Sequence, residues 1–209
     1  MSELNLKKHI SHGDDGFEKR QIEIRINSEP FDNLKYRDET ILIMVYDPFT
    51  SKSNEDGSFI LGTKEEYPKG ISRMIGGGIE NESPVNAATR EIKEELNIKL
   101  EPKDLLPLVA FTVKALTTSE KVYGLLVYVM FLKLGSTNQM IPGDDISGIV
   151  RVSEDDIRIL AKKLHYISEN PICETNSIDG NTWSSFSEVY AQIMEQSLDI
   201  LKQRALIKA

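Results

Sequence analysis

"GGGIENESPVNAATREIKEELNI", residues 76–98, decides how the rest of the chain is read. It opens on three glycines and then carries the punctuation of a helix. Ser83 is a good N-cap and Pro84 suits the first helical position. Val85, Ala88, Ile92 and Leu96 recur at spacings of three and four, which makes one apolar stripe. Asn97 tolerates the left-handed conformation that ends helices, so the pattern predicts a helix over 84–96. The stripe does not explain the carboxylates. Glu91, Glu94 and Glu95 lie close together, with Glu80 and Glu82 just ahead, and like charges three or four apart weaken a helix. By default such a run is a solvated face. At 3.6 residues per turn, however, positions 91, 94 and 95 share one edge beside the stripe. Hard divalent cations such as Mg²⁺ take oxygen ligands of this kind and bridge them to phosphates. Gly76 and Gly77, lacking side chains, let the backbone approach a ligand or ion closely.

Working outward, "QIEIRI" (21–26) alternates like a strand and "TILIMVYD" (40–47) reads as a core strand. "FILGT" (59–63) completes a long hairpin with it across the loop "PFTSKSNEDGS". After the helix, "LLPLVAFTVKAL" (105–116) and "KVYGLLVYVMFLKL" (121–134) read as paired strands, and "SGIVRV" (147–152) as a further one. Ser153 then caps a helix with an acidic first turn and a basic later turn. "SSFSEVYAQIMEQSLDILKQRA" (184–205) is a last amphipathic helix, its stripe running through Phe186, Val189, Tyr190, Ile193 and Leu201. No internal repeat or low-complexity tract interrupts this order.

The 209 residues suffice for one well-cored domain with additions. A net charge of −8 argues against nonspecific nucleic-acid binding, yet admits a phosphate-bearing substrate if a cation supplies local positive charge. One cysteine, Cys173, excludes an internal disulfide and a cysteine metal cluster. The polar N-terminus lacks a signal-peptide core, and the longest strongly apolar run, "VYGLLVYVMFL", is too short to span a bilayer as a helix. The chain reads as cytoplasmic, with no membrane partner.

Taken together, Gly76, Glu82 and the run Arg90-Glu91-Ile92-Lys93-Glu94-Glu95-Leu96-Asn97-Ile98 resemble the Nudix box, with all but one of its specified positions matched. The strands and helix around it follow the family's order over about 38–168. The resemblance implies a Nudix-type α/β/α sandwich with a mixed sheet, carrying an N-terminal extension (1–37) and an extra C-terminal loop and helix (169–209). Three features depart from the family's usual sequence in and just before the box. Asn97 and Asn81 stand where the family has glycines, and Met74-Ile75 where proline-glycine is common. None removes a carboxylate.

The resemblance further implies Mg²⁺- or Mn²⁺-dependent hydrolysis of a nucleoside diphosphate linked to another group. Carried over by motif position, Glu94 and Glu95 would be the main metal ligands and Glu91 would bind a further ion or activate water. Arg90 and Glu82 would pair and hold the loop to the helix, and a carbonyl near Ile75–Gly76 would add a backbone ligand. A general base lies outside the box in this family. Asp144 and Asp145 are favoured over Glu120, though each is also an ordinary turn residue. The family's substrate markers are missing from "VKALT" (113–117). Arg73, Lys114 and Lys121 could meet phosphates, with solubility their default role. His9, His12 and His165 show no ligand spacing. Trp183 and Tyr190 suit a stacked base less well than packing. A non-catalytic binding protein on the same fold is the alternative. Isoprenoid isomerase chemistry fits poorly, because Cys173 lies in a late loop. The amphipathic ends predict a homodimer.

Overall fold

The computed structural model describes residues 16–26, 38–49, 57–117, 120, 122–135, 139–170 and 184–207. Its elements, in chain order, are β1 (Glu18–Ile26), β2 (Glu39–Asp47), β3 (Ser58–Thr63), β4 (Ile75–Gly78), α1 (Pro84–Leu96), a single 3₁₀ turn (Pro102–Asp104), β5 (Leu105–Thr117), β6 (Val122–Lys133), β7 (Gly148–Val152), α2 (Glu154–Glu169) and α3 (Ser184–Gln203). The strands form one sheet in the order β1-β5-β6-β2-β3-β7, with β4 paired antiparallel to β2. The β1–β5 and β2–β6 pairs are parallel and the rest antiparallel, so the sheet is mixed. β1 extends the sheet from within the segment expected to be an N-terminal extension.

The period-2 geometry of strands explains the apolar runs. In β2, Ile41, Ile43 and Val45 belong to one core, while Leu42, Met44 and Tyr46 belong to the other. A strand buried on both faces has no polar alternation to show. β1 lies at the sheet edge, where Ile22 and Ile24 are buried while Gln21, Glu23 and Arg25 are exposed, so its sequence alternates cleanly. The first core is closed by Ala87, Ala88, Ile92 and Leu96 of α1, the second by α2 and α3. This is an α/β/α sandwich.

α2 starts as its sequence predicts. Ser153 caps it reciprocally, its hydroxyl accepting from the Asp156 N–H at 3.1 Å while Asp156 accepts from the Ser153 N–H at 2.9 Å. α3 runs antiparallel to α2, since Glu154 meets Lys202 at 2.6 Å, Arg158 meets Asp199 at 3.1 Å, and His165 meets Glu188 at 2.7 Å. The apolar stripe of α3 is consumed by this packing: Val189, Tyr190, Ile193 and Leu201 are all buried.

His165 is bracketed by two carboxylates, Glu188 on one ring nitrogen and Glu195 on the other. Burial alone would lower its pKa, but the two partners hold it above the usual 6.5. A pKa raised on folding stabilises the protein below the unfolded value and loses that contribution as pH rises through the folded one. The stability gap between wild type and His165→Gln, read as Tm, should therefore be widest below about pH 6 and close at higher pH. A gap constant from pH 5.5 to 9 would count against this reading.

Candidate active site

The box helix is punctuated as its residues dictate. The Ser83 hydroxyl accepts from the Asn86 N–H at 3.3 Å, Pro84 opens the first turn, and Asn97 closes it at φ 55°. Asn81 also sits in the left-handed region, at φ 54°. Both asparagines thus adopt the conformation for which the family uses glycine, and asparagine pays the smallest penalty there among side-chain-bearing residues. The loop after β6 binds the other end of α1. The Ile141 N–H donates to the Leu96 carbonyl at 3.1 Å and the Gly143 N–H to the Glu95 carbonyl at 2.9 Å, filling helix-end acceptors that would otherwise be unmet. Gly143 packs so closely that a Cβ there would lie 1.6 Å from the Glu94 carbonyl oxygen.

The carboxylates are arranged differently from the single exposed edge that the spacing predicts. Glu91 and Glu95 are 6% and 5% exposed and lie within the buried stripe, whereas the Glu94 side chain is 43% exposed. The reason lies in β4, whose glycines place no side chain over α1. A Cβ on Gly77 would fall 2.3 Å from Glu91 Oε1, so the carboxylate occupies the space that a side chain there would take. Glu95 Oε2 accepts from the Gly76 N–H at 3.1 Å. Gly76 itself sits at φ 146°, with Ile41 O 2.1 Å from where a Cβ would be.

Arg90 organises the remaining charges. Its Nε and Nη2 donate to Glu82 Oε1 at 3.0 and 2.9 Å, and Nη2 also donates to the Gly78 carbonyl at 2.8 Å. Its Nη1 donates to Glu91 Oε1 at 2.7 Å and to Glu94 Oε2 at 2.9 Å. One guanidinium thus ties loop to helix and offsets three carboxylates. Among the described residues, no three acidic, histidine or cysteine side chains converge into a preformed metal cluster.

Burial dominates the electrostatics. Desolvation raises the Glu95 pKa to about 7; the Gly76 N–H, Lys64 and Arg73 oppose the rise, and Glu91 adds to it. Glu91 is also raised, first by burial and then by Glu94 and Asp145, against the pull of Arg90. Asp145 therefore acts on Glu91 through space. Glu120 occupies the β5–β6 turn at φ 61°.

Several sequence expectations change here. Arg73 is half-buried, its guanidinium set against the rings of Tyr67, Phe186 and Tyr190, and Tyr190 is a core residue. Lys114 pairs with Glu23 across the sheet edge at 3.5 Å. His9, His12, Lys121, Cys173 and Trp183 lie outside the described residues. Sequence reasoning missed Gly143 as the contact that seats the Asp144–Asp145 loop, although its place in "PGDD" was the available signal.

The donor set tests the expected cation directly. Two buried carboxylates facing bare backbone present only hard oxygen ligands, which suits Mg²⁺ or Mn²⁺ and not a soft metal. The chain belongs to the NUDIX domain family, whose model matches residues 49–195. Glu82, Arg90, Glu91, Glu94 and Glu95, the charged positions of the family's box, are all present.

Solved structures are similar at low identity. A MutT/nudix family protein from Enterococcus faecalis matches at 18% identity and TM-score 0.45, over 55% of this chain and 43% of that one, less than half its length. The NUDIX domain of Shewanella oneidensis NrtR, complexed with ADP ribose, matches at 13% identity and TM-score 0.49, over 80% and 90%. The E. coli dihydroneopterin triphosphate pyrophosphohydrolase matches at 19% and 0.45, over 77% and 94%. No curated protein matches by sequence.

Proposed function

We propose that the protein hydrolyses the pyrophosphate linkage of a nucleoside diphosphate joined to another moiety, using Mg²⁺ or Mn²⁺. The observation that carries this reading is the pair of buried carboxylates, Glu91 and Glu95, set against the bare backbone of Gly76 and Gly77. Burying two carboxylates side by side is unfavourable unless a cation joins them. Glu95 and Glu94 would be the main ligands, with Glu91 completing the set. When bound, the cation neutralises phosphate oxygens and makes a water more acidic.

The chain's own groups supply the remainder. Asp145, on the loop held to α1 by Gly143, would accept the proton of the attacking water. Arg90 and Glu82 keep β4 at its distance from α1. The bare backbone of Gly76 and Gly77 lets the carboxylates of Glu95 and Glu91 lie directly against β4.

The test is phosphate release, coupled to phosphatase, over nucleotide sugars, dinucleotides, ADP-ribose and nucleoside triphosphates, with and without Mg²⁺. Metal-dependent turnover of one class is expected. A folded protein that binds nucleotide but turns over none of them would instead favour the non-catalytic reading. The same proposal takes 38–168 as the hydrolase domain of a cytoplasmic homodimer. Light scattering should give about twice the 23.6 kDa chain mass; a monomer mass at micromolar concentration would end the dimer proposal.

A further inference from the structure

Arg73 is a half-buried cation that the reading above does not use. Three aromatic rings surround its guanidinium: Tyr67 at 5.5 Å, Phe186 at 5.4 Å and Tyr190 at 4.9 Å from ring centroid to Cζ. Tyr67 comes from the segment after β3, and the other two from α3. Aromatic faces attract a cation, and more strongly where water is excluded. The Tyr190 hydroxyl hydrogen-bonds with the guanidinium and donates to the Met74 carbonyl at 3.4 Å. The backbone of Arg73 is fixed as well, pairing both ways with Gly62 of β3 at 2.8 and 2.9 Å. Three residues later, the Gly76 N–H holds Glu95 Oε2.

A continuous path therefore runs from the last helix to the box carboxylate. It passes from Tyr190 and Phe186 to Arg73 and Met74, then along the backbone to Gly76 and so to Glu95. The Arg73 charge also acts on Glu95 through space. The path is local, and each step is a contact or a covalent link. Displacing the guanidinium would move the 73–76 segment, and with it the donor that orients Glu95.

We propose that Arg73, caged by Tyr67, Phe186 and Tyr190, is a positioning residue for Glu95, and that α3 is thereby part of the catalytic apparatus. This rests on Glu95 being a metal ligand, and its test separates the two claims. Tyr190→Phe keeps the ring and removes the hydroxyl; Arg73→Lys keeps the charge and removes the planar group; Arg73→Met removes both.

The measurements are kcat and KM on the best substrate of the panel, and Mn²⁺ affinity of each folded variant by electron paramagnetic resonance. Arg73→Met should lose about 100-fold in kcat and Tyr190→Phe about 10-fold, with KM within about twofold, as expected for an interaction that shapes the metal site. Mn²⁺ affinity should fall in step, and Arg73→Lys should recover part of both losses. If Arg73→Met does not fold, the two conservative variants decide. Folded Tyr190→Phe and Arg73→Lys proteins with wild-type kcat and Mn²⁺ affinity would overturn the proposal. Wild-type protein that neither binds Mn²⁺ nor turns over substrate would instead overturn the functional reading beneath it.

Discussion

Glu95→Gln should abolish turnover and, at the same time, make the metal-free protein more stable above neutral pH. The activity loss follows from removing a metal ligand. Outer-shell partners of a metal site are worth about 10–100-fold, so a direct ligand should cost at least about 10²-fold. The stability gain follows from burial. Desolvation raises the Glu95 pKa from 4.5 to about 7. A carboxyl whose pKa rises on folding favours the folded state while protonated, and loses that contribution as pH climbs through the folded value. The penalty is absent below about pH 4.5, grows from there to about 7, and is complete above it, at about 3 kcal/mol. Glutamine stays neutral and can still accept the Gly76 N–H. Urea unfolding of the metal-free variant at pH 8 should therefore give a higher midpoint than wild type, with the difference vanishing near pH 4.5. Equal midpoints at pH 8 would show that Glu95 carries no such burden. Activity purchased at the cost of stability is the expected signature of a working site.

Gly76→Ala carries the second large effect. Gly76 combines a φ of 146° with a Cβ position 2.1 Å from the Ile41 carbonyl oxygen, so alanine meets backbone strain and a backbone clash together. Those terms are about 1–3 kcal/mol each, a substantial part of a typical domain's total stability. Because the Gly76 N–H also holds Glu95, activity should fall further than stability alone explains. Gly135→Ala is the control, since nothing lies within 4 Å of its Cβ position. Thermal unfolding should show Gly76→Ala lowered by about 5–15 °C and Gly135→Ala unchanged within a degree or so. A Gly76→Ala protein melting with wild type would contradict the described backbone.

Local signals explain why α1 was legible. Its N-cap Ser83, Pro84, apolar spacing and left-handed Asn97 all act within a few residues, and each appears where the sequence puts it. The same holds for the capping box of α2 and the two-faced apolar runs of β2 and β6. The Arg90–Glu82 pair was legible only through the motif. What sequence could not show is which side of α1 each carboxylate takes. That depends on β4 lying over the helix with bare glycines, a contact between segments set by the sheet. Arg73 is the clearest case. An arginine followed by methionine reads as a surface residue until α3, more than a hundred residues later, adds the rings of Phe186 and Tyr190 to that of Tyr67. The loop at 141–146 is similar, since only its hydrogen bonds to α1 bring Asp145 to the box.

The central claim is that Glu91 and Glu95 form a cation-dependent hydrolytic site. Initial rates of phosphate release from a nucleoside-diphosphate-linked substrate, measured in Mg²⁺ and in excess chelator for wild type and Glu95→Gln, test it most directly. The account predicts turnover in one of the four arms, wild type with Mg²⁺. Equal rates in chelator, or a Glu95→Gln protein as active as wild type, would contradict it.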